Sequence, residues 1–189
     1  MSVDPYDLIG LRRRAFPAVR DLSPRPPSVS RTVIVIPMEI SHASIAGFVH
    51  GGTIMRLVDT AGGIAAGRHC GGPTVTASMD EMSFLAPVYI GDMVHVQATV
   101  NEVFRSSMEV GVRVDVETIP VGERRHVATA YLTFVALDEE MKPLPVPPVI
   151  AESGEEKRRQ AHARIRREQR LLRKQALLDH EAFKMESSD

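Results

Sequence analysis

One apolar stretch limits what this chain can fold into. From Gly52 to about Arg68 the residues Ile54, Met55, Leu57, Val58, Ala61, Ile64 and Ala65 recur at three- and four-residue spacing, the period of a helix. The stretch is apolar on most sides and carries Ala61, Gly62 and Gly63 along it. Small residues admit close backbone approach, so a sheet is expected to wrap this helix. The flanking sequence supplies strands. Arg31–Pro37 is β-branched and bounded by Pro, a strand signature. Thr74–Phe84 alternates loosely and Asp92–Phe104 alternates through Val94, Val96, Ala98 and Val100. Ser107–Ile119 alternates strictly through Met108, Val110, Val112, Val114 and Val116, and Val127–Leu137 through Ala128, Ala130, Leu132, Phe134 and Ala136. The connections Arg105–Ser106 and Pro120–Arg125 are short enough for antiparallel hairpins. One strand, one long helix and four more strands predict an α+β fold, a single central helix on one curved antiparallel sheet. Such a sheet keeps edges and an open face, so self-association is expected.

The flanks differ in character. Residues 1–30 are rich in Pro, Arg and Ser; a short helix fits Asp7–Arg14, and Ser23–Pro27 reads as an extended linker. Met141–Val149 is Pro-rich and closes the central domain, taken as residues 31–150. Residues 151–189 form a tail, helical from Glu155 to about Phe183. Between Lys157 and Lys174 it holds nine Lys or Arg and one acid, Glu168.

Over 189 residues the formal net charge is −1, which gives no whole-chain argument for nucleic acid or membrane. The single cysteine, Cys70, excludes an intrachain disulfide and a cysteine-based zinc cluster. Arg12-Arg13-Arg14 is followed by Ala-Phe-Pro, not by the apolar core of a leader peptide. No apolar run reaches the ~18 residues of a membrane helix. A cytoplasmic protein is the expectation.

The chemistry concentrates where the helix begins. Residues 47–59 read Gly-Phe-Val-His-Gly-Gly-Thr-Ile-Met-Arg-Leu-Val-Asp. Gly51 and Gly52 at a helix start leave backbone N–H groups bare, a site for a negative or polarised oxygen. Their bland reading is a tight turn that needs no Cβ. Asp59 follows Gly52 by two helical turns on nearly the same face. Leu57, Val58 and Ala61 surround it, so a half-buried carboxylate able to take a proton from water is expected. The alternative is a helix acid exposed to solvent or tied to Arg56. His50 fits a turn residue, a satisfied imidazole, a donor to a carbonyl, or a residue that orients water. No second His or acid stands at metal spacing, so no metal site is expected.

Three stretches, taken in order, carry a family resemblance. They are Gly47-Phe-Val-His-Gly-Gly with the trailing Asp59, Met82-Ser-Phe-Leu-Ala-Pro-Val-Tyr-Ile-Gly-Asp92, and Arg105-Ser-Ser-Met-Glu-Val110. Residues 30–150 resemble the hotdog-fold acyl-CoA thioesterases, in particular the cytoplasmic acyl-CoA hydrolase subgroup. The resemblance implies hydrolysis of acyl-CoA to CoA and a carboxylic acid, with Asp59 as general base or nucleophile and the Gly51/Gly52 turn polarising the thioester carbonyl. It implies CoA contacts from Arg105, Ser106 and Ser107, no cofactor besides the CoA of the substrate, and dimers joined sheet edge to edge with active sites at the interface, often assembled into hexamers. Ser44 stands where the subgroup usually has an Asn that acts with the partner's Asp; Ser44, His42 or His50 then takes that place. Thr76 and Ser78 read as plain strand residues and Cys70 as a bystander. For the basic tail, a solvated or packed arm ranks first, a CoA-facing arm second and nucleic-acid binding a distant third. Two rivals stand beside the hydrolase: a non-catalytic acyl-CoA-binding or sensing hotdog protein, and a hotdog enoyl-CoA hydratase or dehydratase. The hydratase needs a His paired with an acid, and within the helix only His69 follows Asp59.

Overall fold

The computed structural model describes residues 21–186, with side chains described to residue 180. The helix expected over Asp7–Arg14 lies outside them. Five strands form one sheet: β1 (Thr32–Pro37), β2 (Thr74–Phe84), β3 (Met93–Phe104), β4 (Ser107–Thr118) and β5 (Glu123–Ala136). Their order is β1-β3-β4-β5-β2, and every neighbouring pair is antiparallel. The expected single helix, α1 (Gly51–Cys70), crosses one face of this sheet. Val94, Val96, Val100, Val110, Val114 and Leu132 from the sheet and Val58, Ala61 and Ala65 from α1 are sealed from solvent.

The small residues of α1 do what the sequence suggests. A Cβ on Gly62 would lie 2.9 Å from the Phe134 ring of β5. Helix and sheet therefore meet at a distance that only glycine permits there. One helix face stays outside this packing: Met55, Arg56, Asp59, Thr60 and Ile64 are exposed.

Three expectations change. The Ser23–Pro27 segment is not a free linker. Arg25 bridges Val149, and Pro27–Ser30 forms a 3-10 turn. Buried Ser30 Oγ donates to the Pro27 carbonyl and accepts from the Val100 amide. Strand β5 begins at Glu123, not Val127, pairing with Thr118 of β4. Its polar start, Glu-Arg-Arg-His, hid it from the alternation; there the strands outrun the core and are held by cross-strand pairs such as Arg124 on Glu117. The third change concerns the open sheet face. It is covered by α2 (Gly154–Glu186), the basic tail.

The outward sheet positions explain that docking. Arg164 donates to Glu102 of β3, and Arg166 donates from two nitrogens to Glu109 of β4 at 2.6 and 3.0 Å. Arg170 pairs with Asp80 of β2 and donates to Thr133 of β5. The Arg166 guanidinium also lies 3.6 Å from the Tyr131 ring centroid. The tail is thus a packed arm, with Arg164, Arg166 and Arg170 paired to acids that point out of the sheet.

Candidate active site

Helix α1 starts after an extended residue, His50, at φ −63 and ψ 129. The imidazole itself caps the helix: Nδ1 accepts from the Gly52 amide at 2.9 Å. This corrects the expectation of two bare amides. Gly52 N–H is taken, while Gly51 N–H has no hydrogen-bond partner among the described residues. Accepting at Nδ1 fixes the neutral ring's proton on Nε2, so exposed His50 presents a donor to the outside.

The preceding loop is tied to itself. His42 Nδ1 accepts from the Glu39 amide and the His42 carbonyl from the His50 amide. Half-buried Ser44 donates its amide to the Phe48 carbonyl and accepts from the Gly47 amide. Its hydroxyl has no partner among the described residues. Gly47, at φ 80, makes the turn. Beside Gly51 lies an apolar pocket of about 340 Å³, lined by Phe48, Ile54, Phe84, Leu85 and Val88 among others.

Asp59 departs from expectation in two ways. In one protomer it is exposed, not half-buried, on the open helix face between Met55 (42% exposed) and Ile64 (40%). Its recorded partner is not Arg56 but Thr76, whose Oγ1 donates to Oδ1 at 2.6 Å. One carboxylate oxygen is held and the other is open. Thr76, read from sequence as a plain strand residue, is thus a site neighbour. The signal was weak because β2 carries register shifts at Thr76/Ser78 and Met79/Glu81 that break the alternation. Ser78, by contrast, donates to Asp80 on the outer face.

Two distances limit the site. Eight helical residues separate Gly51 from Asp59, about 12 Å along the axis. One thioester carbonyl does not touch both in a single chain. The β3–β4 turn with Arg105, Ser106 and Ser107 lies near Thr76: Met108, Phe134 and Thr76 form one cross-strand row, about 10 Å across. Arg105 is exposed at φ 55, its guanidinium without a hydrogen-bond partner among the described residues. The carbonyls of Arg105 and Ser106 accept from the Val146 and Ala136 amides, and Ser107 Oγ donates to the Phe104 carbonyl. No hydrogen bond joins the turn to Asp59 among the described residues.

Buried His69 and Cys70 end α1 away from these groups. Burial pushes the His69 imidazolium below its usual range, and its Nε2 contact with the Pro147 carbonyl opposes this in part. No helix among the described residues is long and apolar enough to cross a membrane.

A family model for the thioesterase superfamily matches residues 46–123. The chain is 44% identical over 128 residues to an uncharacterized acyl-CoA thioester hydrolase of Bacillus subtilis, covering 68% of this chain and 73% of that protein. It is 36% identical over 142 residues to the cytosolic acyl coenzyme A thioester hydrolase of Rattus norvegicus, covering 73% of this chain; it spans only 37% of that relative's length. A hexameric acyl-CoA thioesterase superposes with a TM-score of 0.78 at 34% identity, covering 80% of this chain and 97% of the other. The acyl-CoA hydrolase of Staphylococcus aureus, solved with butyryl-CoA, CoA and CoA disulfide, gives 0.77 at 33% identity, covering 84% and 97%. That hydrolase has also been solved with an Asn, an Asp and a Thr each changed to Ala, all at 32% identity to this chain and TM-scores of 0.80, 0.78 and 0.77. These structures cover 86%, 85% and 84% of this chain and 98%, 99% and 98% of theirs.

Proposed function

Because this chain belongs to the thioesterase superfamily, we propose that it hydrolyses acyl-CoA to CoA and a carboxylic acid, with Asp59 driving the attack. The observation that carries the reading is the Thr76–Asp59 hydrogen bond. Ser44, Asp59 and Thr76 are 15 and 17 residues apart. The Asn, Asp and Thr altered in the Staphylococcus aureus hydrolase have the same two spacings. Thr76 fixes one oxygen of Asp59 and leaves the other to a water molecule.

The mechanism follows from the groups present. The thioester oxygen meets the free Gly51 N–H and the Nε2–H of His50, donors placed where negative charge develops. Asp59 takes a proton from water as the water oxygen bonds to the carbonyl carbon. The tetrahedral intermediate collapses, the C–S bond breaks, and the proton passes to the departing CoA thiolate. In the covalent variant the free Asp59 oxygen attacks the carbonyl carbon, the C–S bond breaks and CoA leaves as the thiolate; water then cleaves the anhydride, restoring the Asp59 carboxylate and supplying the proton that CoA takes up. The acyl group runs into the apolar pocket beside Phe48 and Phe84, and Arg105 with Ser106 and Ser107 meets the CoA.

The 12 Å gap between the amide and the acid calls for a second copy. In this reading Gly51 and His50 of one protomer face the partner's Asp59, with Ser44 as the shorter stand-in for an amide. The exposed Met55, Ile64, Phe48 and Phe84 supply apolar surface for the contact. The test is an assay of Asp59→Asn against acyl-CoAs of several chain lengths. Loss of turnover by about 100-fold or more is expected for removal of a general base; wild-type turnover would sink the assignment.

A further inference from the structure

The outer sheet face carries a feature separate from the groups at the start of α1. Between α2 and the sheet runs a groove of about 270 Å³, room for roughly nine water molecules. Its floor is neutral and polar: Thr99, Gly111 and Tyr131 form one cross-strand row across β3, β4 and β5. Its walls are mainly basic, with one acid, Glu155, among them. Arg158, Arg159, His162 and Arg166 come from α2 at three- and four-residue spacing, so one helix face lines the groove. Arg31 and Arg113 line it as well.

The charge there is not balanced. Arg166 is matched by Glu109 and Arg113 by Asp115. Arg158 and Arg159 share one carboxylate, Glu155, and hold it down at about 2. The side chains of Arg31 and His162 have no hydrogen-bond or ion-pair partner among the described residues. A solvated helix face would intersperse acids, and the chain as a whole has them, with 24 acids against 23 basic residues. Here the excess gathers in a concave site with a neutral floor, which focuses a positive field. Guanidinium forks fit phosphate oxygens two at a time. The volume suits a diphosphate group and excludes a folded partner.

We propose that this groove binds the phosphate groups of a small phosphorylated molecule, held between Arg158 and Arg159 on α2 and Arg31 across the floor. It lies on the sheet face opposite α1, so its binding does not depend on the hydrolase reading.

The experiment is calorimetric titration of the full chain with inorganic pyrophosphate at low ionic strength, without acyl-CoA. Saturable binding that weakens as salt rises is expected. The Arg158→Ala/Arg159→Ala double variant should weaken it by about ten-fold or more, since two charge-assisted contacts are lost. His162→Glu, a change at an exposed helix position, should weaken it too while leaving the thermal midpoint near wild type. Arg158→Lys/Arg159→Lys should recover part of the affinity. No saturable binding by the wild-type chain, or equal binding by folded variants, overturns the proposal. A parallel arm identifies the source. If KM for acyl-CoA rises with the loss of pyrophosphate affinity, the phosphates are those of the substrate. If KM is unchanged, the ligand is a separate molecule. Asp59→Asn should bind pyrophosphate as wild type does, which separates this outcome from any failure of the hydrolase assignment.

Discussion

Gly51 allows the carbonyl-binding role to be tested by removing one hydrogen atom's worth of function. It is the first residue of α1, its N–H is unpartnered, and His50 before it is already extended. Proline fits the first helical position because the missing N–H is not needed there, and an extended preceding residue suits it. A Cβ at Gly51 meets only the Phe84 ring edge, at 3.6 Å. Gly51→Pro should therefore fold with a thermal midpoint near wild type while kcat falls by about 10²-fold or more, the usual cost of losing one such donor. Wild-type kcat in a folded variant would remove the amide from the mechanism. At this scale the sequence was legible where a residue's role is local. The Gly-Gly helix start and the acid two turns on sit within one stretch of chain; the cap that His50 places on the Gly52 amide was not read from it. Thr76 was not legible, because its role depends on an edge strand with two irregularities that bring it against Asp59. Within one protomer Asp59 is exposed instead of half-buried, since residues on its own helix do not decide what covers the outer side.

The elements show the same division. Strands β3 and β4 could be read because strict alternation of valines marks the face toward α1, while Gln97, Thr99, Gly111 and Arg113 between them mark the outer face. The position of α2 could not, because its signal is a match between scattered acids (Asp80, Glu102, Glu109) and arginines far along the chain. That match makes α2 sensitive to one residue. Glu109 is 1% exposed, and Arg166 supplies two of its hydrogen bonds. Removing one member of a buried pair leaves an uncompensated charge, at a cost of about 3 kcal/mol or more. Arg166→Ala should lower stability by that amount in urea unfolding, and Arg166→Met paired with Glu109→Gln should recover much of it. A loss below about 1 kcal/mol would mean that α2 is only loosely docked. The other end of α1 sets a pH dependence. His69 is buried, with Nδ1 unpartnered among the described residues, so the folded chain disfavours the imidazolium and holds its pKa below 6.5. The unfolded chain binds more protons below that value, so stability is full above about pH 6.5 and falls as pH drops through the window beneath it. His69→Gln, which can still donate to the Pro147 carbonyl, should flatten the thermal midpoint between about pH 5 and 7 relative to wild type.

For the whole molecule, the question is where one active site ends and the next begins. The helix geometry separates the Gly51 amide from Asp59 by about 12 Å, and the face that carries both is the one α1 leaves outside the protomer core. If two copies close over that face, each site takes the amide from one chain and the acid from the other. A mixed assembly decides this. Asp59→Asn keeps the amide and loses the acid; Gly51→Pro keeps the acid and loses the amide. Co-expressed with different affinity tags and purified through both, the two inactive chains form hybrid dimers. Each hybrid holds one site with both groups intact and one with neither, so activity should return to about half of the wild-type value per dimer, while each parent alone stays low. Sites confined to one chain predict no recovery, because every site in the hybrid then lacks one group. The proportion of hybrids, read from native mass spectrometry, sets the expected recovery. The exposed Met55 and Ile64 supply a control on the same face: a charge at either, as in Ile64→Glu, should reduce hybrid formation and restored activity together.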